Sequence, residues 1–303
     1  VDVVNIDKLS FRVVNENTQV TRGRRPIQGY QVTREWQDML TEIGEQQWNA
    51  EFLEDEWKQV ILGQGLRSRA EYFRARRGGR GQRLSRAQRD RIWQFVERFT
   101  MRLQEKNAWT YDQVAQAAAQ AEEERAAKVR SNRENEAREG GQFLHRADES
   151  LTNLRFRYEH VVVDEAQDLS AAHWTLLRAM VDEGPDDIFL VGDPHQRIYD
   201  NKVSLGALGI PIRGRSSRLT LSYRTTRQIL GSALGLLGVE PWDDLDDGNE
   251  TLVGYRSVLQ GPRPVFRSAP SWDSELEDIV EWARDLKEAA PEGTVPSVSY
   301  THL

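Results

Sequence analysis

The run "HVVVDEAQDLS", His160 to Ser170, decides how the rest of the chain is read. Its three consecutive valines, Val161 to Val163, have the β-branched, dry character of a strand buried inside a sheet. That strand runs straight into Asp164, Glu165, Gln167 and Asp168. Carboxylates set this close repel one another and resist removal from water. A cation has to stand in front of them.

Downstream the pattern repeats. "SAAHWTLLRAMV" from Ser170 predicts a helix, "DIFLVGDPHQ" from Asp187 a second buried strand ending in a turn, and "SRLTLSYRTT" from Ser217 a third strand. Short strands alternating with helices predict an α/β fold whose parallel sheet is covered on both faces. Ligands of such sheets gather at the carboxyl ends of the strands, and both acidic motifs lie at such ends.

Upstream, from Gln31 to about Glu139, the period is helical. Trp36, Leu40, Ile43, Trp48, Phe52 and Val60 recur at spacings near three, four and seven. Trp36, Trp48, Trp57 and Trp93 stand among apolar residues and are expected in a core. "RRGGRGQR", Arg76 to Arg83, predicts a loop, because three glycines break a helix. After it, Ser85 is placed to cap a helix with Ile92, Phe95, Val96 and Phe99 as its buried stripe. "YDQVAQAAAQAEEERAAKVRSNRENEARE" predicts a solvated helix fraying into a linker, and "GSALGLLG", Gly231 to Gly238, close helix packing.

Composition limits the function. The 303 residues contain no cysteine, which excludes disulfides, thiolate metal sites and thiol catalysis and suits a cytoplasmic protein. No apolar run is long enough to span a membrane, and the amino terminus has no secretory pattern. Charge is unevenly placed. Between Arg67 and Arg102 lie twelve arginines, no lysine and three acids, a balance of +9 in a chain of net charge −7. A basic block in an acidic protein suggests a polyanion partner, although a salt-bridged helical surface would give the same composition.

An Asp-Glu pair at the end of an apolar strand suits one chemistry. The first carboxylate holds Mg²⁺ and the second orients and deprotonates the water that attacks a γ-phosphate. The metal would be the cation the cluster requires. The stretch "VVVDEAQD" resembles motif II, the Walker B element, of UvrD/Rep-type superfamily 1 DNA helicases. "FLVGDPHQRIY", Phe189 to Tyr199, resembles their motif III, and "LTLSYRTTRQIL", Leu219 to Leu230, their motif IV. "NIDKLSF", Asn5 to Phe11, is similar to motif Ib, which touches single-stranded DNA.

The resemblance implies a RecA-like parallel sheet of P-loop NTPase type with an inserted helical subdomain. Residues 1–24 and 150–218 would form the first RecA-like domain, 25–149 the insertion, and 219–303 the start of a second RecA-like domain. By motif, Asp164 would bind Mg²⁺, Glu165 would be the general base, and Gln196 would contact the γ-phosphate or the attacking water. Gln167 and Asp168 would couple the site to neighbouring motifs, Asp193 would brace its loop, and Tyr223 would pack near the nucleotide or hold the strand end. Arg224 would be the arginine finger. Asp7 and Lys8 in motif Ib, Arg76, Arg77, Arg80 and Arg83 in the basic loop, and Tyr199 would face DNA. Asn201 stands where the family places a base-stacking Trp, which weakens the usual DNA track.

One element is missing. A RecA-type nucleotide site needs G-x-x-x-x-G-K-[ST], and these residues contain no Gly-Lys pair. The expectation is a piece of a longer helicase, cut ahead of motif Ib and before motifs V and VI, with the closing "VPSVSYTHL" outside any motif. The parent would be an ATP-dependent 3′ to 5′ DNA helicase of repair or replication, and the piece alone would be inactive. A degenerate helicase-like nucleic-acid-binding or regulatory protein is the alternative. A metal-dependent nuclease using Asp164 and Asp168 would leave the Gly-Asp and Tyr-Arg motifs unexplained.

Overall fold

In the computed structural model of the chain, residues 1–16, 24–77, 83–138, 155–196, 204–237, 242–243, 249–250 and 254–289 are described. The chain divides into two compact units, Val1–Ser217 with Pro241–Thr251, and Arg218–Glu240 with Leu252–Leu303. Both are α/β, with strands in pairs. No helix among the described residues is long and apolar enough to cross a membrane.

The first unit begins with α1 (Ile6–Glu16), whose first turn is capped by the Asn5 side chain at the N–H groups of Asp7 (2.9 Å) and Lys8 (3.3 Å). Strand β1 (Arg25–Ile27) leads into α2 (Tyr30–Glu42) and α3 (Ala50–Asp55). The latter runs on into a widened π-helical segment, Glu56–Leu62. Helices α4 (Arg69–Arg74) and α5 (Arg86–Glu105) each start in a capping box, Ser68 with Glu71 and Ser85 with Gln88. Strand β2 (Ala108–Thr110) pairs in parallel with β1, and α6 (Tyr111–Arg138) follows.

Two hydrophobic cores share this unit. The first joins α2 to α5 around Trp36, Trp48, Trp57 and Trp93, with Ile92, Phe95, Val96 and Phe99 from α5. Trp36 stacks on Phe99 with ring centroids 3.8 Å apart, and Trp57 meets both rings edge-on. The second gathers Leu9, Val13 and Val14 of α1, Val114, Ala118 and Ala119 of α6, and Val161 and Val163. Trp174, Leu177 and Met180 of α7 (Ala171–Met180) complete it. The cores divide at Ala108 and Trp109. Helix α6 therefore packs with α1 and α7, because its alanine-rich face lets helix axes approach closely.

Strand β3 (Val161–Val163) lies parallel to β4 (Ile188–Leu190), with Val161 opposite Ile188 and Val163 opposite Leu190. Asp187 fastens the start of β4. Burial opposes its charge, but Arg178 and the N–H groups of Ile188 and Gly184 hold its carboxyl below the usual range. The expected cover on both faces is found on one only. Val161 and Val163 enter the core, whereas Val162 is 75% and its cross-strand neighbour Phe189 is 65% exposed. No described element packs over that outer face, so a run of three valines here alternates like a half-buried strand.

In the second unit β5 (Leu221–Thr226) pairs in parallel with β8 (Arg256–Leu259), and α8 (Arg227–Leu237) and α9 (Trp272–Ala289) complete the described part. The short pair β6 (Trp242–Asp243) and β7 (Asn249–Glu250) belongs to the first unit. Close packing at the glycines of α8 is not found: a Cβ added to Gly231 or Gly235 would meet nothing within 4 Å. Gly238 and the closing "VPSVSYTHL" fall outside the described residues.

Candidate active site

The carboxyl end of β3 turns sharply. Glu165 has φ 52° and ψ 44°, a left-handed conformation that costs a side-chain-bearing residue about 1–2 kcal/mol. The turn throws the carboxylates of Asp164 and Glu165 outward, both exposed, while Ala166 and Gln167 fold back into the protein. Asp164 Oδ1 accepts the Glu165 N–H at 2.9 Å and fixes the first step of the turn.

Backbone bonds tie this turn to the loop after β4. Val191 N–H donates to Val163 O at 2.8 Å, and Ala166 N–H donates to Val191 O at 3.0 Å. Gln167 completes the join with its side chain. At 3% exposure it donates from Nε2 to Glu165 Oε2 at 2.6 Å and accepts the Asp193 N–H on Oε1 at 3.0 Å. One buried amide thus spans both acidic motifs and spends both its polar ends on them.

Asp193 organises its own loop. Its Oδ1 accepts the His195 N–H at 3.0 Å and lies 3.1 Å from His195 Nδ1, and its Oδ2 accepts Gln196 Nε2 at 2.8 Å. Gln196 stays exposed at the mouth of the site. The structure thereby brings Asp164, Glu165, Gln167, Asp193 and Gln196 together at the ends of two adjacent strands. Asp168 follows in the same turn, its side chain exposed. Tyr199 lies outside the described residues.

Sequence reasoning missed Gly192 and His195. A Cβ at Gly192 would lie 2.7 Å from Gln167 Oε1 and 3.0 Å from Ala166 Cβ, so only glycine lets the two loops approach this closely. The Gly-Asp pair was the available signal. For His195 the signal was weaker, since a histidine beside a proline has many uses.

Tyr223 and Arg224 belong to the second unit and are described there. Both are exposed, on a stretch of β5 where the register against β8 shifts between Ser222 and Thr226. Bulges of this kind re-aim side chains. Hydroxyls hold the irregularity in place: Ser222 Oγ and Thr225 Oγ1 are 2.9 Å apart, and Ser257 donates to the Thr225 carbonyl.

The basic block is partly answered by acids of the same protein. Arg67 pairs with Glu123 (2.6 Å), Arg69 with Asp90 (2.9 Å), Arg91 with Glu45 (3.4 Å), and Arg102 with Glu35 (2.9 Å) and Glu42 (2.6 Å). Most of these acids come from helices outside the block. The structure takes Arg77 out of the DNA-facing set. Its guanidinium grips Glu56 through Nε (2.6 Å) and Nη2 (2.7 Å), and its side chain is 5% exposed, out of reach of any phosphate. Tyr72 donates its hydroxyl to the same carboxylate at 2.8 Å. Arg74, Arg76, Arg83 and Arg98 are exposed and form no ion pair among the described residues. Arg80 is not described. In α1, Lys8 is exposed, whereas Asp7 turns toward His173.

The family model of the UvrD/REP helicase N-terminal domain matches residues 6–204, well over half of the chain and both strand-end motifs. A comparison with curated proteins finds no match. The chain therefore belongs to the UvrD/REP helicase N-terminal domain family.

Proposed function

We propose that these residues form part of an ATP-dependent DNA helicase that couples hydrolysis of Mg²⁺-ATP to unwinding, with 3′ to 5′ polarity and a role in repair or replication. The observation that carries the reading is the Gln167 amide, which joins the Glu165 carboxylate to the Asp193 loop. An acidic turn without a catalytic task has no need of a buried link to a second strand end.

Asp164 would hold the Mg²⁺, and a lone exposed carboxylate suits an ion that keeps most of its waters and takes the rest of its ligands from phosphates. When bound, the metal would neutralise charge on the transferred phosphoryl group. Glu165 would orient the attacking water and accept its proton. Gln196, steered by Asp193, would meet the γ-phosphate or that water. Arg224, always charged and raised on its bulge, would serve as the arginine finger, with Tyr223 near the nucleotide. Residues 1–16 and 155–217 would belong to the first RecA-like domain together with α6, residues 25–108 to the helical insertion, and residues from 218 to a second RecA-like domain. Lys8, Arg76 and Arg83 would face DNA.

Single-turnover ATP hydrolysis tests the site in a full-length helicase carrying these residues. Glu165→Gln should abolish turnover and spare ATP binding, and Arg224→Ala should slow turnover on the order of 10³-fold or more. The 303 residues by themselves, which hold no Gly-Lys pair to grip phosphates, should hydrolyse no ATP. A normal rate in Glu165→Gln would remove the site assignment. Retained DNA binding without any hydrolysis in the full-length protein would favour a degenerate, regulatory helicase relative.

A further inference from the structure

Helix α7 begins immediately after the acidic turn, and its cap is unusual. Capping boxes place Glu or Gln at the third helical position, where the side chain reaches back to the cap's N–H. Here that position is His173. Ser170 Oγ accepts the His173 N–H at 3.4 Å, and His173 Nδ1 accepts the Ser170 N–H at 3.3 Å. The acceptor role of Nδ1 puts the proton of the neutral ring on Nε2. That atom is buried without a hydrogen-bond partner among the described residues, and it faces Asp7 Oδ1 of α1 at 3.8 Å.

A glutamine could fill this cap in one state only. Histidine has two. When protonated, both ring nitrogens are donors, so Nδ1 can no longer accept from Ser170. The same proton gives Nε2 a full positive partner for the Asp7 carboxylate. We propose that His173 is a proton-operated exchanger: neutral, it closes the cap of α7; protonated, it releases Ser170 and draws α1 in through Asp7. Ser170 is two residues beyond Asp168, so the exchange takes place next to the acidic turn in the chain. The inference stands on α1 and α7 alone and does not depend on the helicase reading.

The surroundings fix the sign. Burial lowers the affinity of His173 for a proton, and Asp7 opposes burial without overcoming it. Helix α6 contributes Asp112, whose carboxyl is pushed up by burial against the pull of Lys58, with Asp7 and Glu54 adding to the rise. The turn Gly206–Leu208, which also meets α7, carries no titratable group. With its folded pKa below its unfolded one, His173 contributes no destabilisation at neutral pH. As pH falls through the unfolded value, about 6.5, the unfolded chain takes the proton first and stability declines.

The 303-residue chain with isotope-labelled histidine provides the test. At neutral pH, NMR should show His173 as the Nε2–H tautomer, and the Ser170 amide signal should follow the His173 titration. Asp7→Asn should move that midpoint lower still. Between about pH 7.5 and 5.5 the wild type should lose thermal stability relative to His173→Gln, which keeps the cap and cannot titrate. The Nδ1–H tautomer, a midpoint unmoved by Asp7→Asn, or superimposable pH profiles for wild type and His173→Gln would each overturn the proposal. The first two readings need no variant at residue 173, so the test survives if that variant folds poorly.

Discussion

The two cores of the first unit are built on opposite terms. The helical core seals itself: stacked Trp36 and Phe99, edge-on Trp57, and a buried Glu56–Arg77 pair with Tyr72 leave little for solvent to reach. The sheet core is open on one face. Its outer face exposes Val162 and Phe189, its loops are joined by two backbone hydrogen bonds and one side-chain amide, and its key carboxylates face water. The sealed aromatic cluster lies away from the proposed chemistry, which sits at the exposed ends of β3 and β4. Rigidity of the scaffold then stands in for rigidity of the site.

Substitutions ranked by effect can break this contrast. Trp36→Ala should cost the most, about 3–5 kcal/mol in urea unfolding, because two aromatic rings, Trp57 and Phe99, lose a shared neighbour. Arg77→Ala should follow closely, at roughly 3–5 kcal/mol, since it removes the guanidinium that faces the buried Glu56 carboxylate. Replacing both Glu56 and Arg77 with methionine should recover most of that loss, and failure to do so would mean that the pair holds more than its own charges.

On the open side, Gly192→Ala should cost only about 1–3 kcal/mol, the range of a local overpacking. Its mark should be local, a displaced Gln167 side-chain amide signal in NMR, since the added Cβ collides with Gln167 Oε1. A global loss equal to that of Trp36→Ala would refute the contrast. Ser85→Ala should be mildest, about 1 kcal/mol in the same unfolding measurement, by removing one capping bond from a helix that the core already holds.

Much of this was legible in the chain. The change of period at the valine run located β3, and the apolar spacing of α5 named its buried stripe, because periodicity reports which face water leaves. The boundary between the cores was not legible. Helix α6 carries small alanines whose pattern does not say which neighbour they will meet. Nor could composition tell that Arg77 turns inward while Arg76 does not, since that depends on Glu56, twenty-one residues earlier in the sequence. At the site, the acids and amides announced themselves, but the join between them did not. It rests on an absent side chain at Gly192, and absence leaves only a glycine to be read among twenty-two. Arg224 was legible as a motif residue, whereas the bulge beneath it depends on pairing with β8, more than thirty residues on.

The left-handed turn at Glu165 has a consequence for which substitutions the chain will accept. A polypeptide shaped for folding alone would place glycine or asparagine there, and exchange to glycine should relieve on the order of 1 kcal/mol of backbone strain. The gain would be useless to the proposed general base, because the relaxed residue has no carboxylate to offer. Screens that reward thermal resistance and screens that reward turnover should therefore pull this one codon in opposite directions.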